Sequence, residues 1–145
     1  METKFYKCLI CGNVVTKVVD SGQPLTCCDE EMEELVPNTE DASEEKHVPV
    51  VTQVDPCKIN VQIGSVAHPM SAAHHIEFIY VETKHGGIRI DLGDKPEAEF
   101  CVCADSAVAV YEYCNIHGLW KITLSHVLVM AGVSAVMAFP LPFLE

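Results

Sequence analysis

From residue 48 onward the chain is a succession of short apolar runs, rich in β-branched and aromatic side chains and separated by polar turn residues. Residues 48–54, 57–63, 75–82, 88–92, 98–103 and 107–113 are each predicted as a strand. Asp-Pro at 55–56, Gly-Ser at 64–65, His-Gly-Gly at 85–87 and Gly-Asp-Lys-Pro at 93–96 supply the turns between them. About seven strands at this spacing predict an antiparallel β-sandwich of the immunoglobulin type. No convincing amphipathic helix interrupts the series.

A smaller pattern precedes it. Residues 4–7 and 13–19 are predicted strands on either side of Cys8-Leu9-Ile10-Cys11-Gly12, followed by a turn at Ser21-Gly22-Gln23-Pro24. Residues 36–45 are polar and acidic with Pro37 near their start, which places a surface connection and a domain boundary there. Glu40, Asp41 and Glu44 suit a solvated loop, in which Thr39 or Ser43 is placed to cap a short helical turn. The expected organisation is therefore all-β: a small N-terminal domain at 1–37, a sandwich at 38–121, and an apolar tail at 122–145.

Residues 122–144 carry no formal charge and are long enough to span a membrane. Pro140 and Pro142 would spoil the last turns, and no Lys or Arg cluster beyond Lys121 anchors the segment. A soluble tail, buried in an oligomer or loosely structured, is favoured over a membrane anchor.

Composition narrows the function. A formal net charge of -12 argues against a nucleic-acid partner, whose phosphates this surface would repel. Any anionic substrate must be drawn by a local positive field. Eight cysteines could signal a disulfide scaffold. The start, Met1-Glu2-Thr3-Lys4-Phe5-Tyr6, lacks a signal peptide's basic and apolar segments, and four cysteines fall in a metal-like cluster. Reduced thiols and a cytoplasmic location are expected.

Cys8-x-x-Cys11-Gly12 followed by Cys27-Cys28 offers four thiolates from two loops, a tetrahedral sulfur site for zinc or a single iron. A redox or disulfide pair is outweighed because two cysteine pairs occur at loop spacing. So small a module has little core, and a metal would supply much of its folding free energy. Neighbouring side chains on extended backbone point to opposite faces, so Cys27 and Cys28 can share one metal only if the chain bends there. Four histidines also stand at strand ends, where sandwich loops converge. These are His47, His68, His74 and His117, the last three residues after Cys114 and just before Gly118. One such histidine is ordinarily structural; four, with a Cys-x-x-His pair among them, point to a mononuclear metal site.

The N-terminal cysteine pattern resembles desulforedoxin and the matching domain of desulfoferrodoxin, although Asp29-Glu30-Glu31 follows the cysteine pair where the family usually has a glycine. Glu45-Lys46-His47-Val48-Pro49, Gly64-Ser65-Val66-Ala67-His68-Pro69-Met70 with His74, residues 93–100, and residues 112–120 around Cys114 and His117 are similar to superoxide reductase. Ala67 stands where that family often has proline. With both clusters present, the chain resembles the two-iron desulfoferrodoxin type more than the one-iron neelaredoxin type, over roughly residues 4–121.

The resemblance implies iron at the centre formed by Cys8, Cys11, Cys27 and Cys28. It also implies a non-haem Fe(His)4(Cys) centre, with His47, His68, His74 and His117 as equatorial ligands and Cys114 as the axial thiolate. One coordination position would remain for a small oxygen species, and a thiolate opposite it pushes electron density toward that species. The implied activity is one-electron reduction of superoxide to hydrogen peroxide, with re-reduction by a rubredoxin-like donor. Lys46 would draw superoxide to the open face and assist protonation. Glu45 resembles a glutamate that binds the ferric form and leaves on reduction. A homodimer is also implied. The alternatives are an iron electron carrier, disfavoured because carriers prefer saturated metals, and a structural zinc module. His75, His85 and His126 are expected to be non-ligands. Cys57, Cys101 and Cys103 are expected to be small buried side chains, with a Cys101–Cys103 redox pair as the minor alternative.

Overall fold

A computed structural model describes residues 2–103 and 105–124. The chain divides into two compact units, Met1–Pro37 and Asn38–Glu145. The expectation for the apolar tail, beyond residue 124, lies outside the described residues.

The first unit is a three-stranded antiparallel sheet in the order β2-β1-β5, built from β1 (Phe5–Lys7), β2 (Val14–Thr16) and β5 (Glu33–Leu35). A two-stranded ribbon pairs β3 (Thr26–Cys27) with β4 (Glu30–Glu31). The two sequence-predicted strands correspond to β1 and β2; β3 and β4 span two residues each and β4 and β5 are mostly glutamate, so none shows an apolar strand pattern. Among the described residues of this unit only Phe5, Cys8 and Met32 are buried hydrophobics. Such a core buries too little apolar area to offset chain entropy unaided.

The second unit is the predicted antiparallel sandwich. One sheet has three strands in the order β10-β7-β6, from β6 (Pro49–Asp55), β7 (Lys58–Ile63) and β10 (Glu97–Cys101). The other has four in the order β12-β11-β8-β9, from β8 (Ile76–Thr83), β9 (Gly87–Asp91), β11 (Ala107–Cys114) and β12 (Gly118–Thr123). β7 shows why: Ile59, Val61 and Ile63 alternate into the core while Lys58 points to solvent. They meet Val51 and Phe100 of their own sheet and Ile76, Ile79, Val81, Val110 and Cys114 of the other. At about 25 cal/mol per Å2 of apolar area, this layer is the main source of the unit's stability.

Three details depart from expectation. β12 was not foreseen, whereas the one-turn helix α1 (Glu44–His47) starts directly after Ser43, one of the two residues placed to cap a helical turn. The tail was taken to begin at residue 122, yet Ile122 and Thr123 pair with Val110 and Ala109 inside the sheet. Cys101 and Cys103 are not buried: both are exposed. Strand pairing ends at Cys101, opposite Lys58, and the Val102 amide then donates to the Cys57 carbonyl at 2.7 Å as the chain turns out. Cys57 itself is half-buried.

Among the described residues no helix is long and apolar enough to cross a membrane.

Candidate functional site

The site lies at one end of the sandwich, where α1, the loop after β7, the loop before β8 and the β11–β12 turn meet. α1 follows Ser43, whose side chain makes no capping bond. The turn is held instead from its other side: the Nδ1–H of His47 donates to the Ser43 carbonyl at 2.8 Å. That bond fixes the tautomer and leaves Nε2 bare. Trp120 stacks on the His47 ring at 4.9 Å between centroids and 21° between planes, and its Nε1–H donates to the His117 carbonyl at 3.1 Å. One indole therefore orients two of the histidines.

Gly64 makes the loop after β7 fit against α1. Its φ is +81°, and a Cβ there would lie 2.7 Å from the Lys46 carbonyl oxygen and 2.8 Å from that of Glu45. In this tight seam the Val66 amide donates to the Glu45 carbonyl at 3.0 Å and the Gly64 amide to that of Val48 at 3.2 Å. His68 follows and repeats the His47 device: its Nδ1–H donates to the Pro69 carbonyl at 2.7 Å, turning Nε2 inward.

Cys114 ends β11, completely buried, and the turn through residues 115–117 brings His117 back over it. The His117 amide donates to Cys114 Sγ at 3.4 Å. Sγ lies 3.6 Å from both His68 Nε2 and His117 Nδ1, and His117 Nδ1 is 3.0 Å from His47 Nε2. His74 Nε2 is buried with no hydrogen-bond partner. The donor atoms of His47, His68, His74, Cys114 and His117 all lie within 4.8 Å of one another.

Without a cation, such an arrangement points lone pairs at lone pairs and strands a buried nitrogen, which is unfavourable. A cation among them removes the penalty, and four imidazoles with one thiolate suit iron. Electrostatics agrees. Burial, followed by the neighbouring imidazoles, holds His68 down at about 4 and lowers His47 and His74, so all three are neutral and able to ligate. The Lys46 charge adds to the lowering at His47 and His74, which places its field on the site. Burial raises the Cys114 thiol, opposed by the His117 and Ile116 amides, so the thiolate needs a positive partner.

Glu45 and Lys46 are exposed on α1 beside buried His47. The Glu45 carboxylate is not among the converging groups. His75 is turned elsewhere, with Nδ1 at 3.0 Å from the Ser71 carbonyl and Nε2 at 3.3 Å from Glu77. His85 pairs with Asp105 at 3.1 Å.

In the first unit the four sulfurs of Cys8, Cys11, Cys27 and Cys28 likewise lie within 4.8 Å of one another. Left-handed backbone at Cys28 (φ +55°) and Asp29 (φ +63°) supplies the bend that adjacent cysteines need. Gly12, at φ +80°, turns the Cys8–Cys11 knuckle, and its amide donates to the Cys8 carbonyl at 2.9 Å. Backbone amides of Cys11 and Ile10 pull the Cys8 thiol down to about 7. The Cys11, Cys27 and Cys8 sulfurs push Cys28 up to about 12. Four such sulfurs become anionic together only around a cation, and a tetrathiolate set accepts iron as well as zinc.

The sequence profile of desulfoferrodoxin matches residues 39–123, and that of the desulfoferrodoxin N-terminal domain matches residues 1–35. The chain belongs to the desulfoferrodoxin family. It is 45% identical over 122 residues to the desulfoferrodoxin of Nitratidesulfovibrio vulgaris, a match covering 83% of this chain and 95% of that one. A desulfoferrodoxin homolog of Archaeoglobus fulgidus is 46% identical over 119 residues, covering 80% and 93%. Among solved structures, the superoxide reductase of Treponema pallidum superposes with a TM-score of 0.69 at 31% identity, covering 83% of this chain and 98% of that one. The family match runs to residue 123, the end of β12, rather than stopping at Lys121.

Three residues around the desulfoferrodoxin-type site escaped sequence reasoning as individuals. Trp120 and Gly64 stood inside recognised segments, but stacking and a positive φ leave no mark on a pattern. Glu112, two positions before Cys114, is fully buried with both carboxyl oxygens unpartnered, and burial raises its pKa well above the usual carboxylate range. A charged residue within the apolar run 107–114 was the available signal.

Proposed function

We propose that this chain is a superoxide reductase, carrying out one-electron reduction of superoxide to hydrogen peroxide. The observation that carries the reading is the convergence of four imidazole nitrogens and one buried thiol on a single point beside an exposed lysine. Bound iron would supply the one electron, and two protons complete hydrogen peroxide.

The chain's own residues do the rest. His47, His68, His74, His117 and Cys114 would hold the iron, with four imidazoles and one thiolate as its ligands. Cys114 is fully buried, so a small anion would reach the iron from the exposed side that carries Lys46. Lys46 concentrates superoxide there against the repulsion of a chain with net charge -12, and places a proton donor beside the nascent peroxide. Glu45, exposed one residue earlier, would supply a carboxylate able to bind the iron reversibly. The tetrathiolate unit holds a second iron. Leu9 and Ile10 in its knuckle are 70% and 59% exposed, an apolar rim suited to a rubredoxin-like electron donor. The assembly is a homodimer.

The test is iron content and visible absorption of the purified protein, before and after superoxide is added to the reduced form. Two irons per chain are expected, with a thiolate-to-ferric band that appears on stoichiometric oxidation and is lost in Cys114→Ser. A colourless zinc protein would overturn the reading in favour of a structural module. A coloured protein that exchanges electrons with a rubredoxin-like partner but ignores superoxide would be a carrier.

A further inference from the structure

In the segment Cys101-Val102-Cys103 both cysteines are exposed while Val102 packs against the core, and neither cysteine has a part in either metal set. Cys101 closes β10 and Cys103 sits in the turn after it, so the side chains no longer follow strand alternation. Their sulfurs are 3.1 Å apart, unbonded and exposed. They share a surface cavity of about 300 Å3 with His85, Asp105 and Thr83.

His85 is held by Asp105 twice: its amide donates to Oδ2 at 2.9 Å, and its Nδ1–H to Oδ1 at 3.1 Å. The second bond commits Nδ1 and leaves Nε2 as the ring nitrogen available for proton exchange at the cavity that His85 lines. A hydrogen bond from the Thr83 side chain, then the Ser106 and His85 amides, hold the Asp105 carboxyl well below the usual range, so it is anionic and orients the imidazole. Two thiols, a basic nitrogen and an orienting carboxylate thus line one pocket. These are the parts of an activated sulfur nucleophile with a resolving partner.

The pocket lies at the far end of the sandwich from the histidine–cysteine centre. Cys101 pairs with Lys58 at the start of β7, and Lys84 bonds Ser106 next to the start of β11, whereas His68 follows the end of β7 and Cys114 ends β11. The eight residues of β11 separate the two regions by roughly 24 Å at about 3.4 Å per residue.

We propose that Cys101 and Cys103 form a peroxide-reducing dithiol. One thiolate attacks a peroxide oxygen, the O–O bond breaks, and a sulfenic acid forms as the departing hydroxide takes a proton to become water. The second thiol then attacks that sulfur, forming the S–S bond and releasing the second water. In sum, two thiols and hydrogen peroxide give one disulfide and two waters. An external dithiol of the thioredoxin class restores both thiols by exchange. The required oxidant is the product of the activity proposed above, but the dithiol reaction depends only on peroxide being present.

The experiment treats the full iron-loaded chain with one equivalent of hydrogen peroxide, quenches with a thiol alkylator, and cleaves after glutamate. The fragment spanning residues 100–112 contains Cys101 and Cys103 and no other cysteine. It should emerge two hydrogens lighter and unalkylated, at least tenfold faster than Cys57 is oxidised, and a thioredoxin-class dithiol should reverse the change. In Cys101→Ser or Cys103→Ser the remaining cysteine should be trapped by a sulfenic-acid reagent, with superoxide-driven oxidation of the iron unchanged. His85→Gln should slow disulfide formation about tenfold without altering the fold. A fragment that keeps both thiols, oxidises no faster than Cys57, or passes to sulfinic acid without a disulfide overturns the proposal. Because peroxide is added directly, these outcomes are separate from any failure to reduce superoxide.

Discussion

Substituting Gly64 by alanine should damage the site through the backbone, and Gly118→Ala in the same unit calibrates how much. Both glycines have positive φ, +81° and +69°. Forcing an L residue into that region costs about 1–2 kcal/mol in either place. The surroundings differ. A Cβ at Gly118 meets only Glu40 Cγ at 3.5 Å, an ordinary contact. At Gly64 it would lie 2.7 Å and 2.8 Å from the Lys46 and Glu45 carbonyl oxygens, so the seam against α1 must open. Opening it lengthens the bonds from Gly64 N to Val48 O and from Val66 N to Glu45 O, each worth about 1 kcal/mol. Gly64→Ala should therefore be less stable than Gly118→Ala by about 2 kcal/mol. For a unit of this size that is roughly 10 °C in melting temperature. Because α1 carries Lys46 and His47, iron should also be lost to a chelator about tenfold faster. Melting curves followed through the visible band, with timed chelator challenge, give both numbers. Equal melting temperatures and equal iron retention in the two variants would refute the argument.

Lys46→Ala should lower the second-order rate with superoxide about tenfold and flatten its dependence on ionic strength, measured by rapid mixing at two salt concentrations; an unchanged salt slope would place the attracting field elsewhere. Asp29→Gly should relieve the left-handed backbone at φ +63° and stabilise the tetrathiolate unit by about 0.5–1 kcal/mol, seen as slower thermal bleaching of its colour. In metal-stripped protein, burial holds His68 at about 4 against an unfolded value near 6.5. As pH falls through that window the unfolded chain takes up the proton first, so stability is lost from about pH 6.5 down to 4, by on the order of 3 kcal/mol. Urea unfolding at pH 7 and pH 4.5 should show the fall, and His68→Asn should remove most of it.

The sandwich was legible because its strands carry their own evidence: runs such as 58–63 place Ile, Val and Ile on one face between turn residues. The donors were legible because four cysteines formed two pairs at loop spacing and the other five donors stood where strands end. What eluded sequence reasoning depends on geometry that residue type does not encode. β12 was hidden because residues 118–123 begin on a glycine and lead into an apolar tail. α1 showed only as a turn after Thr39 or Ser43, without its bounds, because a single turn is too short for a period to appear. Cys101 and Cys103 looked like one strand face because alternation says nothing of where pairing stops, and it stops at Cys101.

The two metal sets also differ in what the chain itself contributes. In the first unit, three buried apolar residues and crowded thiols leave folding dependent on the ion. In the second, a continuous apolar layer holds the strands whether or not metal is present, and Cys114 belongs both to that layer and to the donor set. His47 and His68 have their outer nitrogens committed to the Ser43 and Pro69 carbonyls, so both inward nitrogens are aimed before any ion arrives. Preorganisation of this kind makes ligand geometry a property of the fold. Stripping metal should therefore unfold the first unit while leaving the sandwich and its donor geometry in place. Hydrogen exchange on metal-free protein would show this as lost protection across residues 5–35 with retained protection in β7, β8 and β11. Uniform loss of protection across both units would mean that the sandwich, too, is built around its ion.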